Sequence, residues 1–249
     1  STAPALTSIA TGCWPAEHAV TGWWTYLPDA GVTATILPFV ERFSEQPLEQ
    51  LHVEAAQAFP IAALAGNYTH EFMTFTPRRI ADSTYSRYSS GGAPFAGYGK
   101  LGEAIDAILE RIRSAPRPTY SYLYVPHVDF EEHLQGPHAP QVMRALEEVQ
   151  EEAGRLSHGA EGRARIVITA DHGLMTVGEL HVLDRDDPLI GLLQFPPTGD
   201  GRAPMFHVRE GMHAAFAAAF HKRFGGGFAL LPVREGEAMG LFGAALSGE

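Results

Sequence analysis

Ile166-Val-Ile-Thr-Ala-Asp171-His172-Gly173-Leu-Met175 sets a β-branched apolar run directly ahead of an acid, an imidazole and a glycine. Ile166, Val167 and Ile168 read as a strand buried on both faces, the kind found inside parallel sheets. The run stops at Thr169-Ala170, which leaves Asp171 and His172 at the carboxyl end of that strand. Open α/β sheets hold their ligands there, in the crevice beyond the strand ends. Gly173 removes a side chain where the backbone has to turn. An Asp-His pair also occurs by chance in ordinary strand-to-helix loops, so the rest of the chain must decide.

A second acid–imidazole pair decides it. Thr119-Tyr-Ser-Tyr-Leu-Tyr-Val125 reads as another strand, and Pro126-His127-Val128-Asp129-Phe-Glu-Glu-His133 follows at once. Asp129 and His133 are four residues apart, so a helical turn projects them from one face. A carboxylate and a neutral imidazole facing the same way suit a divalent metal, zinc above all. Alone, the pair is equally a solvated helix start with Glu131 and Glu132 as surface charge. Two such pairs, each after a strand, make a metal centre the better explanation.

The chain has 249 residues, enough for one α/β domain with a substantial core. Its formal net charge of -11 argues against a nucleic-acid backbone as partner, a surface that calls for clustered Lys and Arg. An acidic protein still acts on phosphates where metal ions supply positive charge locally. The single cysteine, Cys13, excludes an intrachain disulfide and suits a reducing, cytoplasmic compartment. The sequence shows no stretch long and apolar enough to span a bilayer, and no signal peptide.

At the start, Thr2 precedes Ala3-Pro4 and is a natural N-cap, because Pro favours the first helical turn. Leu6, Ile9 and Ala10 would form that helix's apolar face, and Gly12 its end. A hydroxyl at a helix N-terminus sits in positive potential, beside free N–H groups that suit a phosphate. A plain capping role is the commoner one. A domain seldom begins one residue before its first helix with no strand ahead, so the chain reads as a truncated piece.

His18 reads as a hydrogen-bonded structural histidine. Residues 32–37 are apolar and β-rich. Residues 65–99, rich in Tyr, Ser, Thr and Gly, read as an irregular cap insertion. Arg78, Arg79 and Arg87 lie in it, either solvated or within reach of an anionic substrate. Residues 101–113 and 140–157 carry amphipathic helical periodicity. Beyond the Asp171-His172 strand, 189–195 and 205–208 look like a strand pair, 212–224 a helix and 228–231 an edge strand. Helices thus alternate with strands, which predicts one α/β domain over 1–249 with a mostly parallel sheet flanked by helices.

Three segments resemble the alkaline phosphatase superfamily, and most closely its type I phosphodiesterase/nucleotide pyrophosphatase branch. Thr2-Ala-Pro-Ala-Leu-Thr-Ser-Ile-Ala-Thr-Gly12 through Pro15-Ala-Glu-His18 looks like the nucleophile segment. Tyr124 to Pro137 is similar to the family's Tyr-x-x-x-x-Asp-x-x-x-His-x-x-Gly-Pro element, and Thr169 to Gly173 to its Thr-Ala-Asp-His-Gly. They occur in the family's order. The resemblance implies two zinc ions, one held by Asp129 and His133, the other by Asp171, His172 and the Thr2 oxygen. Thr2 would attack phosphorus in line and give a phosphothreonine that water hydrolyses.

Two family ligands have no counterpart here, an Asp upstream of the nucleophile and a His near the C-terminus. The resemblance therefore implies a catalytic domain cut at both ends, inactive until completed. Its substrate would be a small phosphoester or nucleotide-like molecule, with Tyr124 against the base. Ala3 stands where the family often has an aromatic stacking on the base, which weakens the nucleotide assignment. The alternatives are a phosphomonoesterase, a sulfatase or phosphonate hydrolase, or a catalytically inactive relative that binds a ligand.

Overall fold

A computed structural model describes residues 1–243. In chain order, it begins with α1 (Thr2–Thr11), α2 (Pro15–His18), β1 (Trp24–Leu27), β2 (Val32–Thr35), β3 (Val40–Glu41) and α3 (Ala55–Ala58). Then come β4 (Glu71–Pro77), α4 (Thr84–Ser89), β5 (Phe95–Tyr98), α5 (Leu101–Ser114), β6 (Thr119–Leu123), α6 (His127–Gln135) and α7 (Pro140–Ala160). Two short strands, β7 (Thr198–Gly199) and β8 (Pro204–Met205), and two helices, α8 (His213–Phe224) and α9 (Val233–Ala238), complete it. These elements form two compact units, Ser1–Ile61 with Glu179–Glu249, and Ala62–Gly178.

The Ala62–Gly178 unit holds a three-stranded parallel sheet, ordered β5-β4-β6. β4 is central and pairs Glu71 to Phe75 with Thr119 to Leu123 on one side, and Thr74 to Pro77 with Phe95 to Tyr98 on the other. Its Phe75 joins Tyr98, Ala104 and Ile108 in a buried cluster. The amphipathic reading of 101–113 holds: Leu101, Ala104, Ile105, Ile108 and Leu109 of α5 are all buried. Each large aliphatic side chain among them contributes about 1.5–3 kcal/mol by leaving water. α7 lies along α5, held by Arg155, which reaches Asp106 and Gly102 O across the pair and Glu152 on its own helix.

Two expectations for this unit are corrected. Residues 65–99 are no irregular cap, since they supply β4 and β5, two of the three parallel strands. Thr74, Thr76 and Tyr98 are buried strand residues of types that suit a pleated sheet, while Ser86, Ser89, Tyr85 and Tyr88 belong to α4. Conversely, Ile166-Val167-Ile168 is no buried strand. It lies in irregular backbone, with Val167 80% and Ile168 71% exposed. A β-rich composition makes a strand when a neighbouring edge completes its hydrogen bonds, and among the described residues no ladder includes this run.

In the Ser1–Ile61 and Glu179–Glu249 unit the sheet is antiparallel, ordered β3-β2-β1-β7-β8, so the mostly parallel sheet expected for the whole chain does not hold here. β1 and β2 are joined by a short turn, the connection open to antiparallel but not to parallel neighbours. Of the expected pair at 189–195 and 205–208, a bridge between Leu193 and Val208 remains, while Ile190–Leu192 is a single 3-10 turn. Residues 228–231 form no strand. Phe216, Phe220 and Phe224 of α8 pack on Leu189 and Leu193 as a second core.

α1 starts one residue earlier than expected, with Ser1 at the N-cap and Thr2 as the first helical residue. Gly12 ends it in the left-handed conformation, φ 71°, which costs glycine little. Its covered side carries Ala3, Leu6, Thr7 and Thr11, while Ile9 is exposed.

His18, closing α2, is fully buried. The Val20 amide donates to its Nδ1 at 3.2 Å, which leaves the hydrogen on Nε2, 3.0 Å from Ser8 Oγ. Burial holds its pKa below the ordinary histidine value, because a second ring proton would lose water and face the Val20 donor. A lowered folded pKa means that the unfolded chain takes up the proton first. Stability is full above about pH 6.5 and falls as the pH drops towards the folded value, by at most about 1.4 kcal/mol per pH unit for one proton. Thermal melts between pH 7.5 and 5.5 should therefore show a falling midpoint that His18→Gln flattens. Half-buried His207, also depressed by desolvation, should leave a residual slope. An unchanged slope in His18→Gln would contradict this account.

Candidate metal centre

β6 delivers the first half of the site. Its backbone ladder extends one residue past Leu123, as Tyr124 N donates to Phe75 O at 2.9 Å. Tyr98 Oη donates to the Tyr124 carbonyl at 2.7 Å, so the turn into α6 is tied to both other strands of the sheet. α6 then places Asp129 in its first turn and His133 in its last, each where the helix dipole favours its charge. Gly136, at φ 84°, ends the helix.

The second half arrives in irregular backbone. Even so, the structure brings Asp171 and His172 to the same spot. Asp129 Oδ1 lies 3.4 Å from His133 Nε2 and 3.9 Å from His172 Nε2, and His172 Nε2 lies 3.4 Å from Asp171 Oδ2. All four residues belong to the Ala62–Gly178 unit.

Three observations bear on whether these residues suit an ion. His172 Nδ1 is 3.2 Å from Gly173 O. A carbonyl can only accept, so the hydrogen sits on Nδ1 and the Nε2 lone pair faces two carboxylates, an arrangement that calls for a cation between them. Asp129 Oδ1 is buried and makes no hydrogen bond, a costly state for a carboxylate oxygen without a partner. Finally, 3.4 Å is long for a hydrogen bond but matches neighbouring ligands of a tetrahedral ion. Bonds of about 2.0–2.1 Å set such ligands about 3.3–3.4 Å apart. The donor set fits zinc pair by pair. No three of these side chains share one centre among the described residues.

Tyr124, expected at the substrate, flanks the cluster. Burial raises its phenol well above the ordinary tyrosine range, and the charges of Asp171 and Asp129 push the same way. Tyr122 was missed. Burial, then the charge of Asp171, lifts it to about 12. The alternation Tyr120-x-Tyr122-x-Tyr124 was the available signal, since residues two apart on a strand share a face. Both phenols stay protonated at neutral pH and remain able to donate hydrogen bonds.

The nucleophile candidate, Thr2, opens α1 in the other unit. Thr7, further along α1, is buried and donates to Ala3 O at 2.8 Å within the helix. Of the insertion arginines, Arg87 is engaged by Asp82 at 2.8 Å.

The profile of the type I phosphodiesterase/nucleotide pyrophosphatase family matches residues 1–190. The chain belongs to that family. No curated protein matches the sequence. Among solved structures, murine ectonucleotide pyrophosphatase/phosphodiesterase 5, an inactive variant in complex with AMP, is similar at TM-score 0.60 and 14% identity. The alignment covers 90% of this chain and 59% of that one, so this chain spans under two thirds of that protein's length. At this identity the likeness shows the fold alone, an α/β one. No helix among the described residues is long and apolar enough to cross a membrane.

If the pairs are metal ligands, His133→Ala and Asp171→Ala in the full-length protein should each weaken zinc affinity at least about ten-fold, because even losing a ligand's supporting partner has that effect. Zinc retained after dialysis, measured by plasma mass spectrometry, checks this. Full occupancy in both variants would count against the pairs.

Proposed function

We propose that this chain supplies the catalytic residues of a metal-dependent hydrolase cleaving phosphodiester or pyrophosphate bonds. The observation that carries the reading is the meeting of two acid–imidazole pairs from separate segments, around a buried Asp129 oxygen without a hydrogen bond. Asp129 with His133, and Asp171 with His172 and the Thr2 oxygen, would hold two zinc ions. Bound there, zinc would supply Lewis-acid stabilisation of charge developing on phosphoryl oxygens.

The remaining chemistry belongs to the chain. Thr2 Oγ1 attacks phosphorus, the bond to the leaving oxygen breaks, and the hydroxyl proton is lost to solvent. Water then cleaves the phosphothreonine and restores the threonine. α1 favours this, since its first turn presents backbone N–H groups and positive potential to an anion. Tyr124 would line the substrate, a small nucleotide-like phosphoester, and the AMP held by the murine relative supports that class. Ala3 is fully buried, so base stacking would rest on Tyr124 rather than on a ring beside the nucleophile.

One observation favours a second reading. That no three donors share a centre among the described residues suits a relative that binds a ligand without turnover. Metal content separates the two, since such a relative should hold little zinc.

In the full-length enzyme, Thr2→Ala should keep zinc but lose turnover of bis-p-nitrophenyl phosphate by at least about a hundred-fold, as the attacking oxygen is gone. Thr2→Ser should retain part of it. The diester should be cleaved faster than p-nitrophenyl phosphate, and faster monoester cleavage would favour a phosphomonoesterase. Mass mapping of trapped phosphoryl-enzyme should find Thr2, and label on Ser1 or Thr7 would overturn the assignment.

A further inference from the structure

α6 has two working faces. Asp129 and His133 project from one towards the acid–imidazole cluster. His127, Phe130 and Glu131, spaced three and four apart, share the other face. That face borders a pocket of about 690 Å³, which is therefore separate from the candidate metal centre.

The parallel sheet builds this pocket. Pro77 and Arg78-Arg79 at the end of β4, Tyr98 at the end of β5, and Pro126 after β6 bring it to the carboxyl edge, where such sheets bind ligands. α7 closes it with Arg144. The walls are Tyr98, Phe130 and the His127 ring, whose centroid lies 6.1 Å from that of Tyr98. His127 Nδ1 is buried and has no hydrogen-bond partner among the described residues. The Arg79 guanidinium lies 5.6 Å from the Phe130 ring centroid. Neither Arg79 nor Arg144 forms an ion pair among the described residues, while Arg78 stands 3.8 Å from Glu103. Glu131 and Glu148 also line the pocket; with Arg78 engaged by Glu103, the guanidiniums of Arg79 and Arg144 are balanced in number by these two carboxylates.

We propose that this pocket behind α6 is a second ligand site, for an aromatic monoanion such as an aryl carboxylate or sulfonate. Arg79 and Arg144 would take the anionic group, a task suited to the planar guanidinium fork. Phe130 and Tyr98 would hold the ring, and His127 Nδ1 would give one hydrogen bond. Two guanidiniums without ion-pair partners among the described residues can take one anionic group, while Glu131 and Glu148 disfavour a polyanion such as a nucleotide.

4-Fluorobenzenesulfonate, followed by fluorine NMR on the EDTA-treated chain, tests the assignment without occupying a metal. It should bind saturably, and an equal concentration of inorganic phosphate should not displace it. Arg79→Ala with Arg144→Ala should weaken binding at least ten-fold, and Phe130→Ala several-fold. Arg87→Ala, outside the pocket, should leave it unchanged. The arginines are exposed, so these variants should fold, which circular dichroism verifies. No saturable binding, unaltered affinity in the double variant, or displacement by phosphate would overturn the proposal. So would an equal loss in Asp129→Asn, which would place the anion on the other face of α6. The outcome is independent of whether zinc binds or phosphoesters are cleaved.

Discussion

Asp129 Oδ1 is the atom on which the candidate site turns. It is buried, lacks a hydrogen bond, and faces the Nε2 atoms of His133 and His172. Because Gly173 O fixes the His172 hydrogen on the far nitrogen, the near side of the ring offers electrons to carboxylates that also offer electrons. Such a set is electrostatically incomplete without positive charge, whether a proton or a metal. The acidic balance of the chain fits the same logic, since an acidic protein handling phosphates must take positive charge from ions.

What the sequence disclosed and what it concealed divide along a physical line. α5, α7, α8 and β6 were legible because their side-chain periodicity reports local geometry and the face it buries. Asp129 and His133 were legible because their spacing follows a strand end and one helical turn, and Asp171 and His172 because they form an adjacent acid–imidazole pair. Ile166–Ile168 misled because composition reports strand propensity but not whether an edge is present to pair with. The error at 65–99 was the reverse, since the short apolar runs about Phe75 and Phe95 that read as part of a loop were strands of a parallel sheet, and the tyrosines and serines between them form α4. Tyr122 and the pocket behind α6 escaped because they depend on pairing across strands and on the ends of β4 and β5 meeting α6 and α7, contacts far apart in the chain.

α6 joins both halves of the account. Nine residues are enough for one helix to present ligands on one face and pocket walls on the other, and its start is tied to β4 and β5 through Tyr124. A short helix pinned in this way holds its side chains in fixed directions, as sites built on regular elements require.

X-ray absorption at the zinc edge of the dialysed, zinc-loaded protein tests the central claim most directly. The expected spectrum shows a first shell of nitrogen and oxygen at about 2.0–2.1 Å with the outer-shell scattering of imidazole. A shell of water oxygens without imidazole, or no zinc retained at all, would contradict it.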